Sequence, residues 1–221
     1  MVHIYYSYIN EQLHNALQEK YLKKFPVAFQ EKLSLFRKWE DAQLSLLGRL
    51  LLDYGLNNFN KKMDECQLEY SDYNKPFFAD LDLKFNISHS KNIVACAIAE
   101  SFEVGIDIEF INEDIDLENF KDQMTDFEWE KIQNSTNSIN AFYEYWTRKE
   151  AVVKADGKGL SIPLKKIDVS GDKATIRDSV FVLKEFHLNK NYMSHLAIMT
   201  TNPMHINTLS NKKIVLKKVY F

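Results

Sequence analysis

Two short stretches, far apart in the chain, carry three carboxylates and a lysine at spacings that chemistry can use. The first is Val104-Gly105-Ile106-Asp107-Ile108-Glu109. The second is Trp146-Thr147-Arg148-Lys149-Glu150-Ala151-Val152-Val153-Lys154. In the first, apolar residues alternate with acids, which predicts a strand with one apolar face. A strand has period two, so Asp107 and Glu109 leave it on the same side. The second has no Pro or Gly and is rich in helix formers. At helical spacing Trp146, Glu150 and Lys154 share one stripe. A strand offering two carboxylates and a helix offering one carboxylate and one ammonium can meet around a hard cation. Such a cation takes oxygen ligands and shares itself with substrate phosphates.

The elements that must position these groups follow from pattern. An opening strand is expected over 2–8, a helix over 11–21, and, after Pro26, a helix over 28–36. The clearest early helix covers 40–52, with Leu44, Leu47 and Leu51 on one side and Gly55 as its stop. Tyr73-Asn74-Lys75-Pro76 reads as a turn. Paired strands are expected over 83–88 and 93–99, with Ser88-His89-Ser90 in or beside their connection, and a third strand over 104–109. A helix-rich stretch over 120–154 is interrupted by the polar run Asn134-Ser135-Thr136-Asn137. Strand-like runs close the chain over 166–169, 175–176, 180–188, 194–200 and 213–221, with a hairpin turn at Gly171-Asp172. Both halves run helix then strands, and 93–99 faintly echoes 195–200.

At 221 residues the chain can form one large domain or two small ones, since domains run about 100 to 200 residues. A net charge of −3 gives no global field for nucleic acid or an anionic membrane. The two cysteines, Cys66 and Cys96, have no metal spacing, and Cys96 lies in an apolar run, which fits a reducing compartment. No apolar run approaches the roughly 20 residues of a membrane span, and the N-terminus lacks a signal-peptide pattern. A cytoplasmic protein is expected.

Each candidate residue has a plainer reading. Asp107 and Glu109 would suit the solvated face of an edge strand, but like charges side by side repel unless a cation neutralises them. Glu150 and Lys154 are spaced as an ordinary helix ion pair. His89 would suit a loop or core, and Lys75 a solvated turn. Thr125-Asp126-Phe127-Glu128 fits a helix capping box. Trp146 is expected to pack the helix on a sheet, and Lys149 to lie on the helix surface.

The G-I-D-I-E run followed by W-x-x-K-E-A-x-x-K resembles the signature pair of 4′-phosphopantetheinyl transferases, closest to the surfactin-synthetase-activating (Sfp-type) class. Further blocks are similar in the same order. Glu40-Asp41-Ala42 with Leu46-Leu47-Gly48 looks like the family's first helix region, and Lys75-Pro76-Phe77 like its G-K-P loop, with Asn74 where Gly is usual. Phe85-Asn86-Ile87-Ser88-His89-Ser90 is similar to its F-N-I-S-H-S segment. Gly157-Lys158-Gly159-Leu160 is similar to the loop closing its signature helix. The resemblance implies an α+β fold of two similar subdomains in one chain, a pseudo-dimer. Its boundary falls at 102/103: the coenzyme A side is 1–102, the metal and signature-helix side 103–221. The active site lies at the interface.

It also implies roles. Asp107, Glu109 and Glu150 match the ligands of Mg²⁺ (or Mn²⁺), and Glu150 also a general base. Lys154 matches a pyrophosphate contact, and Ser88 and His89 contacts to coenzyme A, His89 at its 3′-phosphate. Lys75 matches the loop near the adenine nucleotide. Glu128 matches a glutamate near the metal with an assigned base role. Lys32 and Arg37 lie where the family keeps basic residues for the 3′-phosphate. The chain departs from the pattern at Ala28 and Leu44, which occupy positions that are often basic, so Arg37, Lys38 or Arg49 would substitute. The implied reaction moves the 4′-phosphopantetheine of coenzyme A to a serine of an acyl or peptidyl carrier protein, which docks near 157–184. The enzyme is expected to be a monomer with no nucleic-acid or membrane partner. The alternative is a carrier-binding homologue that kept the fold without catalysis.

Overall fold

A computed structural model describes residues 1–159 and 162–221. The loop block 157–160 and the docking segment 157–184 therefore fall partly outside the described residues, at Leu160 and Ser161. Strand β1 (Val2–Tyr8) leads into a short 3-10 turn, then α1 (His14–Tyr21), α2 (Val27–Ser34) and α3 (Trp39–Asn57). A small hairpin, β2 (Leu68–Tyr70) and β3 (Pro76–Phe78), precedes the longer hairpin β4 (Leu83–Ser90) and β5 (Ile93–Glu100). After β6 (Val104–Phe110) come α4 (Asp126–Gln133) and α5 (Ser138–Asp156). The chain then forms β7 (Lys173–Ile176), β8 (Ser179–Glu185), β9 (Tyr192–Thr200), α6 (Ile206–Ser210) and β10 (Ile214–Lys218).

Two four-stranded sheets result, ordered β10-β1-β5-β4 and β6-β9-β8-β7. Their common plan is a strand, a 19-residue helix and a hairpin whose second strand pairs with the first: β1, α3, β4, β5, then β6, α5, β8, β9. This internal repeat answers the expectation of two similar α+β subdomains. One strand breaks the symmetry. β10 pairs in parallel with β1, so residues 214–218 complete the first sheet.

Strand period two builds four layers from this plan. Tyr5, Cys96 and Ile98 face α3, where Leu47 and Leu51 meet them. From the opposite faces of β1 and β5, Ile4, Ala95 and Ala97 meet Ile106, Ile108 and Leu196 of the second sheet. On that sheet's far side Phe181, Leu183 and Ala197 pack against Ala151, Val152 and Ala155 of α5. β5 is covered on both faces, which is why 93–99 is continuously apolar rather than alternating.

Three sequence expectations change. Gly55 does not stop its helix: α3 runs on to Asn57, and a Cβ at Gly55 would lie 2.3 Å from Ile98 and 2.9 Å from Tyr5. The glycine is there for close packing. Gly171-Asp172 precedes β7, and the hairpin turn is Arg177-Asp178, with Arg177 at φ 52°. Residues 166–169 form no strand: a 3-10 turn at Leu164–Lys166 leads to Ile167 and Val169, both buried against α5.

Candidate active site

Gly105 sets the distance between strand and helix. A Cβ there would lie 2.1 Å from the Ala151 carbonyl oxygen and 2.3 Å from the Ala155 amide nitrogen. Only a residue without a side chain lets α5 lie this close to β6. Gly105, Asp107 and Glu109 share that face, so the close approach delivers Glu150 and Lys154 beside the two strand acids. The four groups line a hollow of about 470 Å³ together with Ser88 and His89 of β4. The hollow opens where the edge strands of the two sheets meet.

Asp107 is buried, 2% exposed. Its Oδ1 accepts from Lys154 Nζ at 2.5 Å and from Ser88 Oγ at 3.3 Å, and Lys154 also donates to Ser88 Oγ at 3.0 Å. Its Oδ2 is buried with no hydrogen-bond partner. Burial raises the Asp107 pKa, opposed by Lys154. Glu109 accepts from Ser90 Oγ at 2.9 Å. Burial, then the Asp107 charge, push its pKa up to about 7. The Glu150 pKa is raised by burial and then by Asp107. Three crowded carboxylates with one ammonium make a site short of positive charge.

A divalent cation fits that shortage. As the side chains stand, no three His, Cys, Asp or Glu among the described residues form a set that could hold a metal ion. The unpartnered Oδ2 of Asp107, the oxygen-only donors and the raised pKa values are what a hard cation would satisfy.

His89 lies on the other face of β4, exposed between this hollow and a second of about 370 Å³. Surrounding protein, then Lys154, lower its pKa. Lys32 and Arg49 line the second hollow. Arg49 stacks over Phe29 with 5.2 Å to the ring centroid and donates to the Tyr70 hydroxyl at 2.7 Å. Arg37 is exposed between α2 and α3 and lines neither hollow. Of the two basic candidates, the geometry brings Lys32 to His89 and leaves Arg37 aside, while Arg49 joins them.

Lys75 follows Asn74, whose φ of 61° makes the turn. Its ammonium pairs with Glu103 at 2.7 Å and donates to the Ala155 carbonyl at 3.0 Å, closing the turn over the end of α5. Gly157 caps that helix at φ 73°, and a Cβ there would touch Lys75. Trp146 lines the hollow and packs on Phe120 and Phe142.

Lys149 sits elsewhere than expected, and Glu128 takes the capping-box place read from the sequence. Lys149 is fully buried, not on the helix surface. It pairs with Glu128 at 2.8 Å and donates to the carbonyls of Leu164 and Ile167. Glu128 is also fully buried. It closes the capping box of α4 with Thr125 and accepts from the Val169 amide at 3.0 Å. Glu128 does not line the hollow: its oxygens are engaged in the cap, the ion pair and the Val169 amide, so what the structure gives it is the capping role.

His195, which sequence reading missed, pairs directly across from Asp107. Burial, then Arg148, lower its pKa to about 3, so the ring is neutral. Arg148 Nε lies 3.4 Å from its Nε2. That makes Nδ1 the donor to Thr147 Oγ1 at 2.8 Å, and Thr147 donates in turn to the Tyr143 carbonyl. The triad ties α5 to β9. Its signal was faint: a single histidine inside an apolar strand.

Comparison with known proteins assigns both halves. Residues 103–201 match the 4′-phosphopantetheinyl transferase superfamily, and residues 17–101 match the N-terminal region of 4′-phosphopantetheinyl transferase. The 4′-phosphopantetheinyl transferase Sfp of Bacillus subtilis is 33% identical over 171 residues, 75% of this chain and 75% of that relative. The chain belongs to this superfamily. The gsp transferase of Aneurinibacillus migulanus is 35% identical over 71% of this chain, a match spanning 64% of that relative's length. The L-aminoadipate-semialdehyde dehydrogenase-phosphopantetheinyl transferase of Candida glabrata is 31% identical over 82% of this chain. Among the described residues no helix of the transferase is long and apolar enough to cross a membrane.

Proposed function

We propose that the hollow at the junction of the two sheets is where the transferase works, with coenzyme A spanning it and the neighbouring hollow past His89. The chain transfers the 4′-phosphopantetheine group of coenzyme A to a serine hydroxyl of an acyl or peptidyl carrier protein. The observation that carries the site assignment is the buried, unpartnered Oδ2 of Asp107 amid three carboxylates whose pKa values are all raised. Asp107, Glu109 and Glu150 would hold Mg²⁺ or Mn²⁺. That ion would supply positive charge to a pyrophosphate.

The chain's own residues then divide the work. Glu150 reaches the hollow from α5, which puts a carboxylate where it can take a proton. It accepts the proton of the carrier serine as the serine oxygen bonds to phosphorus. The bond from phosphorus to the bridging oxygen breaks, releasing adenosine 3′,5′-bisphosphate. Lys154, partly exposed at the hollow, faces the charge on that leaving group. His89, Lys32 and Arg49 receive the 3′-phosphate. We assign residues 1–102 to the nucleotide side and 103–221 to the acidic site, and take a cytoplasmic monomer as the working form.

The test is direct. Incubation with coenzyme A, Mg²⁺ and several apo carriers should add one phosphopantetheine mass to a carrier, and chelation should abolish the gain. Mass gain that survives complete chelation would remove the cation from the reading. No mass gain on any carrier type would remove the transfer itself.

A further inference from the structure

β4 and β6 are the edge strands of their sheets, and they meet without pairing. In β6 the odd residues turn their main-chain groups toward β9, so the amides of Ile106, Ile108 and Phe110 point out of the sheet. Unpaired edge amides of this kind normally need water or another strand. Here alternate side chains of β4 supply the acceptors. Asn86 Oδ1 accepts from Ile106 at 2.9 Å, Ser88 Oγ from Ile108 at 3.3 Å, and Ser90 Oγ from Phe110 at 3.0 Å. The period of two in one strand meets the period of two in the other, so three side chains close the edge.

Two of those side chains do more. A serine hydroxyl can donate one hydrogen bond while accepting others. Ser88 donates to Asp107 and Ser90 donates to Glu109. Each serine thus holds the amide that follows a carboxylate and the carboxylate itself. The β6 main chain fixes the hydroxyl, and the hydroxyl fixes the acid. Asn86 makes the same main-chain contact but touches no acid.

We propose that Ser90 and Ser88 are positioning residues for the acidic cluster, each orienting one carboxylate of one subdomain from the edge strand of the other. This rests on the cation reading above. Ser88 also lines the hollow, so its support of Asp107 is a role beside the coenzyme A contact expected of it. Two carboxylates that repel would otherwise turn apart, and a cation would have to gather them at its own cost. Groups that orient ligands in this way typically govern affinity by about ten- to a hundredfold.

The test is Mn²⁺ titration of the full chain with coenzyme A present, followed by electron paramagnetic resonance, alongside thermal unfolding. Ser90→Ala should weaken Mn²⁺ binding about tenfold or more, and Ser90→Thr, which keeps the hydroxyl, should restore it to within about threefold. At saturating Mn²⁺ the Ser90→Ala variant should regain most of its turnover. Asn86→Ala breaks the same seam without touching an acid, so it should lower the unfolding temperature yet leave Mn²⁺ affinity unchanged. Equal weakening by Asn86→Ala and Ser90→Ala would make the seam merely structural and overturn the proposal. So would an unchanged affinity in Ser90→Ala, or equal losses in the Ala and Thr variants. If the wild type itself binds no Mn²⁺, the cation reading falls and this inference falls with it. Should Ser90→Ala not fold, Ser88→Ala read against Asn86→Ala carries the same comparison.

Discussion

Replacing Gly105 with alanine should separate the catalytic groups without removing any of them. The added Cβ would stand 2.1 Å from the Ala151 carbonyl oxygen, 2.3 Å from the Ala155 amide nitrogen and 2.9 Å from the Lys154 carbonyl carbon. All three are main-chain atoms of α5, so no side chain can swing aside. Ordinary contact begins near 3.4 Å, so the helix must retreat by about 1.3 Å (3.4 less 2.1) at Ala151. Overpacking of this kind costs about 1–3 kcal/mol, which a folded domain of this size survives. The effect on rate should be larger. Glu150 precedes Ala151, and Lys154 precedes Ala155, so both ride on the displaced backbone while Asp107 and Glu109 stay with the sheet. A misplacement of about 1 Å costs about a hundredfold in rate. The assay is carrier mass gain under single-turnover conditions, with thermal unfolding measured on the same samples. Gly171→Ala is the matched control for unfolding, since its Cβ would meet nothing closer than the Lys173 amide at 4.0 Å. A folded Gly105→Ala variant with near wild-type turnover would refute the account of how α5 and β6 assemble the site.

The other predictions concern single groups. Lys149→Met should destabilise by about 3–5 kcal/mol, because it leaves the Glu128 carboxylate buried without its ammonium; adding Glu128→Gln should recover part of that in a denaturant-unfolding cycle, and simple additivity would contradict the pairing. His89→Ala should raise KM for coenzyme A more than it lowers kcat, and hurt coenzyme A more than dephospho-coenzyme A; equal losses with both would remove His89 from the 3′-phosphate. His195 has a folded pKa near 3 against 6.5 unfolded, so its share of stability is whole above pH 6.5 and is lost as pH falls toward 3. His195→Gln should therefore flatten the fall of unfolding temperature over that window, and an unchanged slope would show that the ring is not held neutral.

The strands and helices that carry the site could be read from pattern because their periodicity is local. Val104 to Glu109 alternates, and β6 is a strand; Trp146, Glu150 and Lys154 share a stripe, and α5 presents Glu150 and Lys154 to the hollow. What pattern could not show were partners distant in sequence. Lys149 looks like any helix-surface lysine until Glu128 and two carbonyls from 164–167 close around it. The run Asn86-x-Ser88-x-Ser90 looks like a polar hairpin end until β6 lies alongside with three amides exposed. Asp107 passes equally well for a solvated acid, yet it is among the most buried polar groups in the chain. Gly55 misleads because a glycine marks either a turn or a close contact, and only the neighbour decides which; Gly171 misleads because Arg177, a non-glycine, takes the positive φ of the actual turn.

The return of β10 to the first sheet has a bearing on how the chain reaches this form. β1 can pair with β5 early, but its other edge is closed only by residues 214–218, with the Val219 amide reaching the Tyr6 carbonyl and Ser7 donating to the Val219 carbonyl. Such a contact spans more than two hundred residues, so its loop-closure entropy is met only after the second sheet exists. Until then β1 is an open edge able to template a strand from another molecule. During synthesis the first half must wait, edge exposed, for a strand made after both hairpins. Shortening the chain before Ile214 would leave that edge open permanently, and aggregation rather than loss of catalysis would be the first defect seen.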